Sequence, residues 1–297
     1  MPASAANFFL ENPYNIVEYD ASHRLVRTMS DGFQKNGVNT GSLAFDSAGS
    51  LYAITGYYTI SVYARGSRQL VRTITTDVVG PNVIAIDAQD NLYVGNIFSG
   101  VAVFRRDSTA PAFTLRYTND PVAIDFDAAG NIYVANLAGN TVTVYSPQGS
   151  LLKEITKGLR FPDTMVVDSK GYVFVASNDY GYGRGVVTVY APRTYELIQT
   201  IHDGVQGPWS IAVDSKDRLY VSNGNGALST YSAATRKLVR TITQTAGQDI
   251  IVDASDNVYA PVGDPQSIDV YPPHALRARY TITDGVEGER ALAIGPP

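Results

Sequence analysis

Six recurrences of one segment, a four-strand reading of each interval between them and an incomplete unit at either end predict an all-β fold: a seven-bladed β-propeller of four-stranded antiparallel blades. The recurring segment runs from apolar residues through an Asp and a short turn to an apolar-aromatic pair. It reads LAFDSAGSLY from 43, IAIDAQDNLY from 84, IDFDAAGNIY from 124, MVVDSKGYVF from 165, IAVDSKDRLY from 211 and IIVDASDNVY from 250. Its aspartates, Asp46, Asp87, Asp127, Asp168, Asp214 and Asp253, are spaced by 41, 40, 41, 46 and 39 residues.

Each segment covers two strands, a and b, joined by a turn. A second alternating stretch follows in every unit (ISVYA, VAVFR, VTVYS, VTVYA, LSTYS, IDVYP) and reads as strand c. A third follows as strand d: LVRTI from 70, FTLRY from 113, LLKEI from 151, LIQTI from 197, LVRTI from 238 and ARYTI from 278. Residues 7–28 match b, c and d with no strand a before them. The missing strand is RALAIGPP at 290–297, where Gly295 stands in the place of the recurring Asp. Six whole units and one composite unit make seven, about 42 residues each. A single domain spanning 1–297 is expected, and pairing the two termini removes an open sheet edge.

The repeated residues have structural reasons. The Asp after strand a can accept hydrogen bonds from backbone two residues on, and a Gly or Asn behind it tolerates positive φ. Aromatics in strands b and c, such as Tyr93, Tyr133, Phe104 and Tyr145, suit the space between blades. Pro81, Pro121, Pro162 and Pro208 come just ahead of strand a, where no ladder donor is lost.

Composition narrows the class. The chain has 23 Lys and Arg against 28 Asp and Glu, a formal charge of −5, with 44% hydrophobic residues and no cysteine. That excludes disorder, thiolate chemistry and disulfide frameworks, and it argues against nucleic acid as a partner. No apolar run approaches membrane-spanning length, so no membrane partner is expected. A soluble monomer is expected, and a secreted or periplasmic location with its signal removed is favoured over a cytoplasmic one.

The segments GPWSIAVDSKDRLYVSN, DPVAIDFDAAGNIYVAN and GPNVIAIDAQDNLYVGN resemble NHL-type propeller repeats, and the resemblance covers essentially the whole chain. It implies the fold and leaves function to the site. By that resemblance the usual binding face is the rim formed by the d-to-a and b-to-c loops. Here this rim is irregular, and departures from a repeat call for explanation. The longest b-to-c connection, SNDYGYGRGVV, offers Asp179, Tyr180, Tyr182 and Arg184. Neighbouring loops add Phe33, Tyr57, Tyr58, Phe98, Phe161, Asp163 and the single tryptophan, Trp209. Exposed aromatics of this kind stack on sugars or peptides, so a protein, peptide or carbohydrate ligand is expected. The rim's loops carry more acidic than basic residues, Asp31, Asp77, Asp120 and Asp203 among them. Such carboxylates would suit Ca²⁺ or Mg²⁺, but no DxDxDG-like loop gathers them, so no cofactor is expected.

Two acidic residues break the inner strand: Asp125, where other units have Ala85 or Val166, and Asp249, where others have Val83 or Ala123. An alternative to a binding module is a metal-assisted lyase or hydrolase resembling virginiamycin B lyase. His202 is then the sole general-base candidate, because His23 and His274 fall in c-to-d connections on the opposite rim. No GxSxG or HExxH motif is present. A repeat scaffold, engineered or reconstructed and without a dedicated ligand, is a second alternative that the internal similarity allows.

Overall fold

The computed structural model describes residues 6–34, 41–179, 184–243, 249–263, 266–288 and 291–295. Its strands form seven four-stranded antiparallel sheets, the blades of a seven-bladed β-propeller, and none of the described residues is helical. Blade 1 contains β1 (Phe8–Asn12), β2 (Asn15–Tyr19) and β3 (Leu25–Met29). Blade 2 is β4 (Leu43–Phe45), β5 (Leu51–Gly56), β6 (Thr59–Tyr63) and β7 (Leu70–Ile74). Blade 3 is β8 (Pro81–Ile86), β9 (Leu92–Asn96), β10 (Gly100–Phe104) and β11 (Phe113–Leu115). Blade 4 is β12 (Pro121–Phe126), β13 (Ile132–Asn136), β14 (Thr141–Tyr145) and β15 (Leu151–Ile155). Blade 5 is β16 (Pro162–Val167), β17 (Val173–Asp179), β18 (Arg184–Tyr190) and β19 (Leu197–Ile201). Blade 6 is β20 (Pro208–Val213), β21 (Leu219–Asn223), β22 (Leu228–Tyr231) and β23 (Leu238–Ile242). Blade 7 is β24 (Ile251–Val252), β25 (Val258–Gly263), β26 (Gln266–Tyr271) and β27 (Tyr280–Ile282). The last strand, β28 (Ala291–Ile294), returns to blade 1, where the order is β28-β1-β2-β3.

By their contacts the residues fall into two compact units, Met1–Ile124 with Asp284–Pro297 and Asp125–Thr283. In the first unit β28 pairs with β1 in the register Phe8↔Ile294 and Leu10↔Leu292. The Gly295 N–H donates to the Asn7 carbonyl at 2.8 Å, as the Asp87 N–H donates to the Asn91 carbonyl at 3.1 Å in blade 3. The chain ends therefore rebuild the inner turn of an ordinary blade from two separate pieces. Buried clusters fill the spaces between blades: Ile54, Val62, Ile84 and Val94 in this unit, and Ala176, Val189, Ile211 and Val221 in the second.

The turn aspartates behave as the sequence predicts and do more. Asp87 Oδ1 accepts from the backbone N–H groups of Gln89 and Asn91, both at 2.9 Å, and Asp127, Asp168, Asp214 and Asp253 repeat the pattern. Positive φ falls three residues after the Asp, on Gly49, Asp90, Gly130, Gly171, Asp217 and Asp256, and not on the asparagines that follow. The second carboxylate oxygen accepts the hydroxyl of the strand-b tyrosine at 3.0–3.5 Å in blades 2, 3, 4, 6 and 7. Blade 1 loses both partners together, carrying Gly295 and Phe9.

The aspartates at positive φ latch one blade to the one before it. The Ser47 N–H and hydroxyl donate to Asp90 at 2.7 and 2.6 Å, and Arg106 approaches the same carboxylate at 3.1 Å. Ser169 N–H and Lys170 Nζ engage Asp217 at 3.1 and 2.6 Å. Ser215 N–H and Lys216 Nζ engage Asp256 at 3.0 and 3.2 Å. The Ser47 donors hold the Asp90 carboxyl below the usual carboxylate range. At Asp217 burial pushes upward, and the hydrogen bonds from Lys170 and Ser169 overcome it.

Candidate functional site

At the opposite end of the blades the d-to-a and b-to-c loops interlock. In blades 1, 3 and 6 strand b ends in a buried asparagine that holds the preceding d-to-a loop: Asn96 accepts the Val79 N–H at 2.9 Å and donates to the Asp77 carbonyl at 3.0 Å. Asn12 does the same with Glu287 and Gly285, and Asn223 with Gln206 and Gly204. A tyrosine from strand c adds a second tie, from Tyr19 to the Asp284 carbonyl at 2.6 Å, Tyr190 to Lys157 at 2.7 Å and Tyr231 to Asp203 at 2.8 Å. Burial pushes the Tyr190 and Tyr231 hydroxyls up to about 12, so both stay protonated donors. The sequence reading missed these asparagines, although YVGN and YVSN display Asn96 and Asn223.

On this framework the first unit presents Tyr57, Tyr58 and Phe98. The Gly80 N–H donates to the Tyr57 carbonyl at 2.8 Å, and the Gly80 carbonyl accepts the Ile97 N–H at 3.0 Å, so one residue holds both b-to-c loops. Tyr57 is half-buried and packs edge-on to Tyr58, with ring centroids 4.8 Å apart. Tyr58 is 54% exposed and Phe98 76%. Tyr117, which the sequence reading left out of the site, is 71% exposed. Phe33 is only partly buried and packs on the Phe9, Ile16 and Met29 cluster, which gives it a core role.

In the second unit Trp209 and Asp163 share a local cause. Register shifts fall between Pro208 and Ser210 and between Pro162 and Thr164, which leaves Trp209 and Asp163 as bulge residues outside the ladder. A bulge re-aims the side chain of the extra residue. Trp209 is 51% exposed, with Nε1 so close to Gly224 that a Cβ there would lie 2.8 Å away. Phe161 sits at the edge of exposure, with the Arg160 guanidinium 5.6 Å from its ring centroid. Asp179 and Arg184 are backbone register partners at the end of the β17–β18 pairing, while Tyr180 and Tyr182 lie outside the described residues.

His202 is exposed just beyond β19, and among the described residues no group of three or more His, Asp or Glu could hold a metal ion. Of the two inner-strand carboxylates, Asp125 accepts the N–H groups of Phe126 at 2.8 Å and Val167 at 2.7 Å, joining blades 4 and 5. Burial pushes its carboxyl up to about 6 even against those two donors. Asp249 accepts the Ser210 hydroxyl at 2.9 Å, which links blades 6 and 7. Both are hydrogen-bonded seams between blades.

A scan against protein-family models finds no match, and neither does a search of curated proteins. Among solved structures the chain is similar to the WD40 β-propeller domain of Doa1, with a TM-score of 0.73 at 11% identity over 92% of each chain. That likeness defines the class as a seven-bladed β-propeller. The described residues contain no helix long and apolar enough to cross a membrane.

Proposed function

We propose that this propeller is a binding module of the NHL-repeat type that recognises a protein or peptide partner through the rim of d-to-a and b-to-c loops. The observation that carries this reading is the exposure of Tyr58, Phe98 and Trp209 on backbone that buried asparagines and bulges hold in place. Rigid aromatics with few rotatable bonds give large contact area at low entropic cost. The WD40 likeness supports the same reading, since that fold is commonly a protein-interaction scaffold. The reading assigns no catalytic residue and needs no metal.

The test is a decapeptide array probed with the wild-type protein, with a Tyr58→Ser/Phe98→Ser/Trp209→Ser variant and with a Ser47→Ala variant of the opposite rim. The expected result is a set of bound peptides that the triple variant loses and the Ser47 variant keeps. Equal binding by all three proteins, or none by the wild type, overturns the reading.

A further inference from the structure

Within the first unit the loops that carry exposed aromatics also carry two carboxylates that none of the described residues engages. Asp77 is exposed in the d-to-a loop that Asn96 holds against blade 3. Asp120 closes the next such loop, at φ 56°, and is half-buried. Among the described residues no donor or cation engages either carboxyl group, and burial alone pushes the Asp120 carboxyl upward. The two loops flank the one that carries Phe98. Gly80 ties the first to Ile97, and a Cβ on Gly100 would lie 2.7 Å from Thr118 Oγ1 of the second. Arg116, the one cation in these segments, is already engaged within the protein.

An aromatic ring face attracts a cation, and a carboxylate beside it adds a charge-assisted hydrogen bond. A neutral sugar would hydrogen-bond the carboxylates but leave their charge unpaired, and an apolar helix would leave them without a donor. We propose that Tyr58, Phe98 and Tyr117, with Asp77 and Asp120, form a docking surface for a basic polypeptide segment, whose Lys or Arg side chains lie over the rings with their cationic ends at the carboxylates. This inference rests on the interaction-rim reading above and gives its partner a charge.

Three fluorescein-labelled decapeptides test it by anisotropy: alternating Lys-Gly, alternating Glu-Gly and alternating Ser-Gly. The Lys-Gly peptide binds at least about tenfold more tightly than the other two, and it weakens several-fold as salt rises from about 50 to about 500 mM. Phe98→Ala and Asp120→Asn each weaken it by about threefold to tenfold at an unchanged melting temperature, because Asn tolerates the positive φ of Asp120. Lys-Gly binding no tighter than Glu-Gly, or unaffected by both substitutions, overturns the proposal. Those outcomes are separate from the array result: a rim that binds acidic or apolar peptides through Tyr58, Phe98 and Trp209 keeps the interaction reading and refutes the basic partner.

Discussion

The two ends of the blades use their polar residues in opposite ways. Where strand a turns into strand b, side chains are spent on one another: Asp87 on its own turn and on Tyr93, Asp90 on Ser47 and Arg106. At the loop end the backbone is held just as firmly, by Asn96 and Asn223, yet Phe98 and Trp209 project from it and Asp120 has no described partner. The difference lies in what the side chains left over from holding the backbone do: at the turn end they meet one another, and at the loop end Phe98 and Trp209 stay exposed. A repeat is the record of a shared structural need, and departures from it are where a particular need shows.

The sharpest way to break this contrast is at the closure of blade 1. Deleting 291–297 removes β28, exposes the β1 edge and uncovers Phe8 and Leu10, so the melting temperature should fall by more than about 10 °C. A circular-dichroism melt unchanged by the deletion would contradict the pairing. Next in size is the latch. Asp217→Ala leaves the Ser169 N–H without its acceptor and Lys170 without its counter-charge, at a cost of about 2 kcal/mol in urea unfolding. Because the carboxyls of Asp90, Asp217 and Asp256 are held low, the stability from the latches is present at neutral pH and lost as pH falls below the ordinary carboxylate range.

Asp125 has the opposite sign. A carboxyl raised to about 6 when folded binds its proton more tightly than in the unfolded chain, so its ionisation subtracts stability as pH rises from about 4 through 6. Relative to the wild type, Asp125→Asn should therefore gain about 2 kcal/mol between pH 4.5 and 7.5, at about 1.4 kcal/mol per unit of displaced pKa. A constant difference between the two urea curves would refute the shift. The smallest stability effect belongs to the loop rim: Trp209→Ala should stay within about 0.5 kcal/mol of the wild type while peptide binding falls. A loss several times larger would make the indole part of the core.

Most of the fold was legible in the sequence because the spacing of Asp46 to Asp253 and the alternation around it repeat one physical unit. The composite blade could be read too, since RALAIGPP supplies what precedes residue 7 nowhere else. Hidden from that reading were features that depend on two units at once. Ser47 and Asp90 are 43 residues apart, and each alone looks like an ordinary turn residue. The bulges at Asp163 and Trp209 were equally hidden, because one extra residue after a proline keeps the apolar pattern intact and changes only the register. The rim was read as aromatic and acidic, but Phe33 belongs to the core and Tyr117 to the surface. Composition cannot tell those two apart.

The latches also constrain how such a chain can be copied. A serine directly after the turn Asp needs an aspartate, three places after the turn Asp, in the following blade; Ala88 and Ala128 are answered by Gly130 and Gly171 in the next units. The blades are thus written with a donor half and an acceptor half, and shuffling their order would bury an aspartate with no serine to meet it. Only DSKDR, with Ser215 and Asp217, carries both halves at once. The sixth blade is therefore the one unit whose tandem duplication would be self-complementary.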